Sequence, residues 1–160
     1  MTTNIRFAAV ALSIGVTLPV LATNAGAQER CTDASLMGSY AFSVAGHNVE
    51  VPLPGGPGPF HAVGKNTYDG RGHLAGSIVI SSNGIVIPAV FAGAYHVRPN
   101  CTGYKSATLT IGGGPGPTVN FEFVIDDDLR EIRMIVSDAG FAVSGTARKL
   151  VTDKRRPRDN

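Results

Sequence analysis

From Met37 onward the chain shows no helical pattern. Apolar residues alternate with polar ones or run briefly, and Gly, Pro, Asn or Asp interrupts them about every ten residues. That rhythm belongs to short strands joined by turns, in a sandwich or a barrel. It predicts eight strands, over 39–45, 60–68, 73–81, 85–97, 104–111, 118–125, 130–137 and 141–149. Turns fall at Asp69-Gly70-Arg71-Gly72, at Asn83-Gly84, at Asp126-Asp127-Asp128 and at Asp138-Ala139-Gly140. Asn-Gly suits a type I′ hairpin, whose two central residues need positive φ. Two Pro/Gly stretches, 52–59 and 112–117, read as loops. Pro88, inside the fourth strand, predicts a bend or bulge there. Closing the sheet removes both exposed edges. The expected fold is therefore all-β, an eight-stranded antiparallel meander of the calycin-like barrel type.

Two short patterns recur. Gly-x-Tyr stands at Gly38 and at Gly93, and Gly-Gly-Pro-Gly-Pro begins at Gly55 and at Gly113. The offsets, 55 and 58, suggest two four-strand halves joined near 93–103. One hairpin can be registered from side-chain chemistry. With Asp127-Asp128 at its centre, paired numbers sum to 255. Phe121 then faces Met134, Phe123 faces Ile132, and Glu122 faces Arg133 as a structural ion pair on the polar face.

The N-terminus has the order of a secretory signal peptide: Arg6, an apolar run over 7–22, then Ala25-Gly26-Ala27 as a small-x-small cleavage site. The run is short for a membrane span and contains Pro19, so no integral membrane segment is expected after cleavage. The expected divisions are a signal peptide at 1–27, a barrel domain at 28–149 and a basic, disordered tail at 150–160. The chain would be exported, to the periplasm or beyond. Cys31 and Cys101 are the only cysteines. In an oxidising compartment they are expected to form a disulfide. The segment 28–147 holds seven basic and ten acidic residues, so the positive balance of the whole chain comes from its ends. Basic residues without interleaved aromatics give nucleic-acid binding no support.

The motifs that carry chemistry are sparse. His47, His61, His73 and His96 lack metal-ligand spacing, and the acidic turn at 126–128 lacks the alternating ligands and glycine of a calcium loop. No metal and no cofactor is expected. No Gly-x-Ser-x-Gly elbow or phosphate loop is present. The strand aromatics are more informative. Tyr40, Phe42, Tyr95, Phe121 and Phe123 are candidates to line the lumen of an eight-stranded barrel, which either fills with side chains or holds one small ligand. Both faces of the second and third strands are partly apolar. Val63, Leu74, Ile78 and Ile80 are expected on one face, and Phe60, Ala62, Tyr68 and Val79 on the other. That excess suggests a homo-oligomer, a dimer or trimer.

The pattern Cys31-Thr-x-x-x-Leu36-x-Gly38-x-Tyr40-x-Phe42, with Thr67-Tyr68-Asp69-Gly70-x-Gly72, Gly93-x-Tyr95, Asn100-Cys101-Thr102-Gly103 and Gly145-Thr146, resembles small exported bacterial proteins of uncharacterised function. Their barrel is similar to that of allene oxide cyclases and dirigent proteins. The resemblance spans about residues 31 to 149 and implies a cofactor-free, commonly trimeric barrel with an apolar lumen. The cyclases' catalytic carboxylate and thiol have no alignable counterpart here, and fold alone does not carry function. The leading expectation is a barrel that binds a small apolar ligand in its lumen. A cofactor-free cyclase or isomerase is the alternative, and needs an acid or base inside the barrel. A structural or partner-binding protein is the third.

Overall fold

A computed structural model describes residues 31–51, 53–126 and 128–151. The expected signal peptide and nearly all of the expected basic tail lie outside the described residues. A 3-10 turn over Asp33–Leu36 comes first. Eight strands follow: β1 Gly38–Asn48, β2 Gly58–Tyr68, β3 His73–Ser82, β4 Ile85–Val97, β5 Thr102–Ile111, β6 Gly114–Asp126, β7 Glu131–Val136 and β8 Phe141–Lys149. Each pairs antiparallel with its sequence neighbour, and β8 pairs with β1, so the barrel is a closed meander. Among the described residues no helix is long and apolar enough to cross a membrane.

Alternation decides what faces in. On β2, Phe60, Ala62, Asn66 and Tyr68 are buried, and on β3, Leu74 and Ile80 are buried. The β2–β3 register sets Phe60 opposite Ser82 and Tyr68 opposite Leu74. Even-numbered positions of both strands therefore share the interior. This corrects the expected grouping, because Leu74, Ile78 and Ile80 lie with Phe60, Ala62 and Tyr68. Val63 pairs with Val79, and both are exposed on the outer wall.

Three further expectations are revised. The β6–β7 pairs sum to 257, with Phe123 opposite Met134 and Ile125 opposite Ile132. The slip of two leaves every side chain on its expected face, since strand periodicity is two. It separates Glu122 from Arg133, which lie opposite Ile135 and Val124. Glu122 instead meets Arg98 at 3.2 Å. Arg133 meets Asp126 at 3.1 Å and Glu131 at 3.2 Å. Pro88 causes no register shift: its pairing with Val79 is continuous, and β4–β5 pairing begins only at Ala89. The irregularity lies in the β5–β6 pairing, where Leu109 stands against two residues of β6, Gly116 and Pro117. Beyond it Pro115 pairs with Thr110, so most of the second Pro/Gly stretch is strand and only Gly112 and Gly113 turn the chain.

The two Gly-x-Tyr motifs open β1 and lie near the end of β4, which are not equivalent positions in two halves. They lie at the same end of the barrel, because β1 and β4 run in opposite directions. Asn83 and Gly84 have φ of 46° and 86°, as the hairpin expected of Asn-Gly requires.

Two devices close the barrel ends. At one end, Cys31 is bonded to Cys101 with their Cα atoms 5.0 Å apart. The bridge ties the 3-10 turn to the β4–β5 connection. Asp33 completes the clasp: its Oδ1 accepts from the Val97 N–H at 2.7 Å, and its carbonyl accepts from the Tyr95 hydroxyl at 2.9 Å. Leu36 is driven fully into the core beneath.

At the other end, the β1–β2 connection folds inward and buries Leu53. Asn48 holds it there. Its Oδ1 accepts from the Val51 N–H at 2.9 Å, and its Nδ2 donates to the carbonyls of Val51 at 2.8 Å and Gly56 at 3.2 Å. Asn48→Ala removes three partly buried hydrogen bonds and is expected to cost roughly 2–3 kcal/mol, at about 1 kcal/mol each. Urea unfolding measures this; a loss below about 0.5 kcal/mol, the range of ordinary surface substitutions, would mean the connection does not depend on Asn48.

Candidate functional site

The barrel interior is not completely filled. A cavity of about 60 Å³ lies along its axis. A single water needs about 10–15 Å³ of such space. The wall includes Phe42 and Val44 from β1, Ile78 and Ile80 from β3, Leu109 from β5, Val119 and Phe121 from β6, and Met134 and Val136 from β7. Leu53 contributes from the infolded connection. Large rings fit because glycines stand beside them. A Cβ on Gly64 would lie 2.6 Å from the Phe42 ring.

Of the five expected lumen aromatics, Phe42 and Phe121 line the cavity. Tyr40, Tyr95 and Phe123 are buried but do not line it. The tyrosines form a floor instead. Tyr40 meets Tyr68 edge-on with centroids 5.4 Å apart, and Tyr68 meets Tyr95 in the same way at 4.9 Å. Such edge-to-face pairs add about 0.5–1.5 kcal/mol each beyond their buried area. The hydroxyls are satisfied within the protein. Tyr40 donates to the Leu129 carbonyl at 3.4 Å, Tyr95 donates to Asp33, and Tyr68 accepts from Asn66 Nδ2 at 3.2 Å. Burial, reinforced by the Tyr95 hydroxyl, pushes Tyr40 up to about 12. Burial is also the leading cause that raises Tyr68 and Tyr95. All three stay protonated at neutral pH and form a neutral layer of the core at the clasped end of the barrel.

Among the described residues, only two polar ones line the cavity, Asn66 and Lys105. Lys105 comes from β5, whose inward positions are Gly103, Lys105, Ala107 and Leu109. Its side chain is enclosed, with 5% of its surface exposed. Nζ lies 3.4 Å from the Met134 sulfur and 4.6 Å from the centre of the Phe121 ring. A thioether and a ring face are weak partners for an ammonium. No Asp, Glu or His among the described residues lines the cavity. Desolvation accordingly draws the Lys105 amine down to about 8.

Lys105 and Asn66 were not among the site residues expected from sequence. The signal was present in the alternation of β5: Ala107 and Leu109 fix the inward phase, and Lys105 shares it. Tyr104, in the opposite phase, is exposed, and the Arg98 guanidinium lies 5.3 Å from its ring centre. No group of three or more metal-ligating side chains forms among the described residues.

Chemically, the site combines an apolar chamber with one amine nucleophile or cation and one amide. Among the described residues it holds no carboxylate or imidazole. Compared with protein-family models, curated proteins and solved structures, the chain matches none.

Proposed function

We propose that this barrel is an exported protein that binds a small apolar molecule in its lumen. The observation that carries the reading is the apolar cavity of about 60 Å³ inside a closed barrel. A well-packed core leaves few voids larger than a water molecule, and apolar cavities of this kind take up apolar guests. The disulfide between Cys31 and Cys101 fits an oxidising compartment, which favours export. The resemblance to allene oxide cyclases supports the barrel type. The cyclase or isomerase reading needs an acid or base in the lumen, and among the described residues Lys105 is the one titratable group lining the cavity, with no carboxylate beside it. Lumen binding asks only for the cavity itself and is the better supported of the two readings.

Titration with hexan-1-ol, followed by methyl NMR, tests it. Saturable shifts are expected at the lumen methyls of Ile80, Leu109 and Val143, and none at the exposed Val63 and Val86. Ala107→Leu, which adds bulk to the cavity wall, should abolish them. Unchanged lumen signals at saturating alcohol would overturn the proposal.

A further inference from the structure

The cavity contains a feature that a passive apolar container does not need. Lys105 presents a primary amine to it, enclosed by the wall and without a carboxylate partner among the described residues. Keeping an ammonium there carries a desolvation cost that the Met134 sulfur and the Phe121 ring only partly offset. Two classes of guest could use the amine. A carboxylate would pair with it, but both ions of that pair must then be desolvated in an apolar chamber. A neutral carbonyl compound enters without a charge of its own, and condensation removes the lysine's charge as well. The apolar wall favours the second.

We propose that Lys105 forms an imine with a small apolar aldehyde or ketone held in the barrel lumen. The proposal rests on the lumen-binding reading above and names the ligand class. The unprotonated Nζ lone pair attacks the carbonyl carbon. A C–N bond forms while the C=O π electrons move to oxygen. Proton transfer from nitrogen to oxygen gives a carbinolamine, and loss of the hydroxyl with the remaining N–H proton gives the C=N bond and one water. The step exchanges amine and carbonyl for imine and water, without an oxidant or reductant. Buried lysines are suited to it because desolvation raises the share of free amine at neutral pH. The infolded connection bearing Leu53 and the tyrosine floor limit bulk water, which would otherwise return the imine to its components.

Reductive trapping tests this. The full chain is incubated at neutral pH with hexanal and cyanoborohydride, which reduces an imine to a stable secondary amine, and the labelled lysines are mapped by mass spectrometry. Lys105 should be alkylated well ahead of the exposed Lys65, because an amine drawn down to about 8 holds roughly a hundredfold more free base at neutral pH than an ordinary lysine. Hexan-1-ol should compete with hexanal and slow the labelling of Lys105 alone. Lys105→Met should lose this label.

The possible failures are distinct. If hexan-1-ol shifts the lumen methyls but Lys105 is labelled no faster than Lys65, imine formation is overturned and lumen binding stands. If neither hexan-1-ol nor hexanal reaches the lumen, both readings fall. If hexanoate shifts the lumen methyls at lower concentration than hexan-1-ol and Lys105 remains unlabelled by hexanal, the amine is a carboxylate anchor and the imine proposal is overturned. The primary measurement uses the unaltered chain, so it does not depend on a variant that folds.

Discussion

Replacing Cys31 and Cys101 together by serine is expected to lower stability by about 4 kcal/mol, the chain-entropy cost of releasing a loop of 70 residues in the unfolded state. For a barrel of this size that corresponds to a fall in Tm of roughly 15 °C. The local structure adds to the effect. Cys101 sits at φ 63°, a left-handed conformation uncommon outside glycine, at the end of the β4–β5 connection. Its N–H donates to the Arg98 carbonyl at 3.0 Å, and its own carbonyl accepts from the Ile125 N–H at 2.9 Å. Without the bridge, the 3-10 turn keeps only Leu36 and the Asp33 contacts to hold it against the tyrosine floor. Thermal unfolding of the double variant measures the loss. A Tm within about 3 °C of the parent, less than 1 kcal/mol, would mean that the bridge adds little beyond contacts already sufficient. A second comparison separates the local contribution. Tyr95→Phe deletes the hydroxyl bond to the Asp33 carbonyl together with the hydroxyl's backbone partners at Gly72 and Gly70, and should cost at least about 1 kcal/mol.

The architecture was legible because a barrel is specified by period and punctuation, both of which survive small errors. The β6–β7 hairpin shows this. Its register differs from the expected one by two residues, yet Phe121, Phe123, Met134 and Ile132 remain on the inner face. A slip of two preserves facing, whereas a slip of one would have inverted it. What the slip destroys is a specific pair, so Glu122 and Arg133 part company. Pro88 misled for a related reason. A proline forbids a backbone donor but does not force a bend where pairing to the next strand has ended. The irregularity that does occur is a separate one, in the β5–β6 pairing beside Leu109.

The site was less legible than the fold. Aromatic residues were good indicators of burial and poor indicators of which buried residues meet the cavity. Tyr40, Tyr95 and Phe123 are all buried, but depth along the barrel axis decides what they touch. That depth depends on strand tilt and on neighbouring registers, neither of which is written in one strand. Lys105 was overlooked because a lysine in an apolar phase is ordinarily read as a break in the pattern. The phase itself was clear from Ala107 and Leu109. A charged residue that keeps the inward phase of a barrel strand is a stronger pointer to the site than another aromatic.

The pH dependence of stability follows from that lysine. Lys105 falls to about 8 in the folded protein, while an unfolded lysine titrates near 10.4. Below pH 8 both states hold the proton, and the folded state carries the full cost of a buried ammonium. Between pH 8 and about 10.4 the folded state releases the proton first, so the unfolded state binds more protons and stability rises with pH. The rise amounts to about 3 kcal/mol across that window. The tyrosines act in the opposite direction. Tyr40 is raised to about 12, and Tyr68 and Tyr95 are also raised, so above pH 10 the unfolded chain loses tyrosine protons that the folded chain retains. Stability should then decline. The expected profile has a maximum near pH 10, above the usual range of about pH 5–8. Lys105→Met keeps a flexible, similarly long side chain beside Met134 and removes the charge. It should raise stability at pH 7 by about 3 kcal/mol and flatten the climb between pH 8 and 10, leaving the decline above pH 10 intact. Denaturant unfolding of both proteins across pH 6–11 measures this. A parent profile that stays flat from pH 7 to 10 would show that water or a counterion reaches the amine, and the enclosed lumen described above would have to be abandoned.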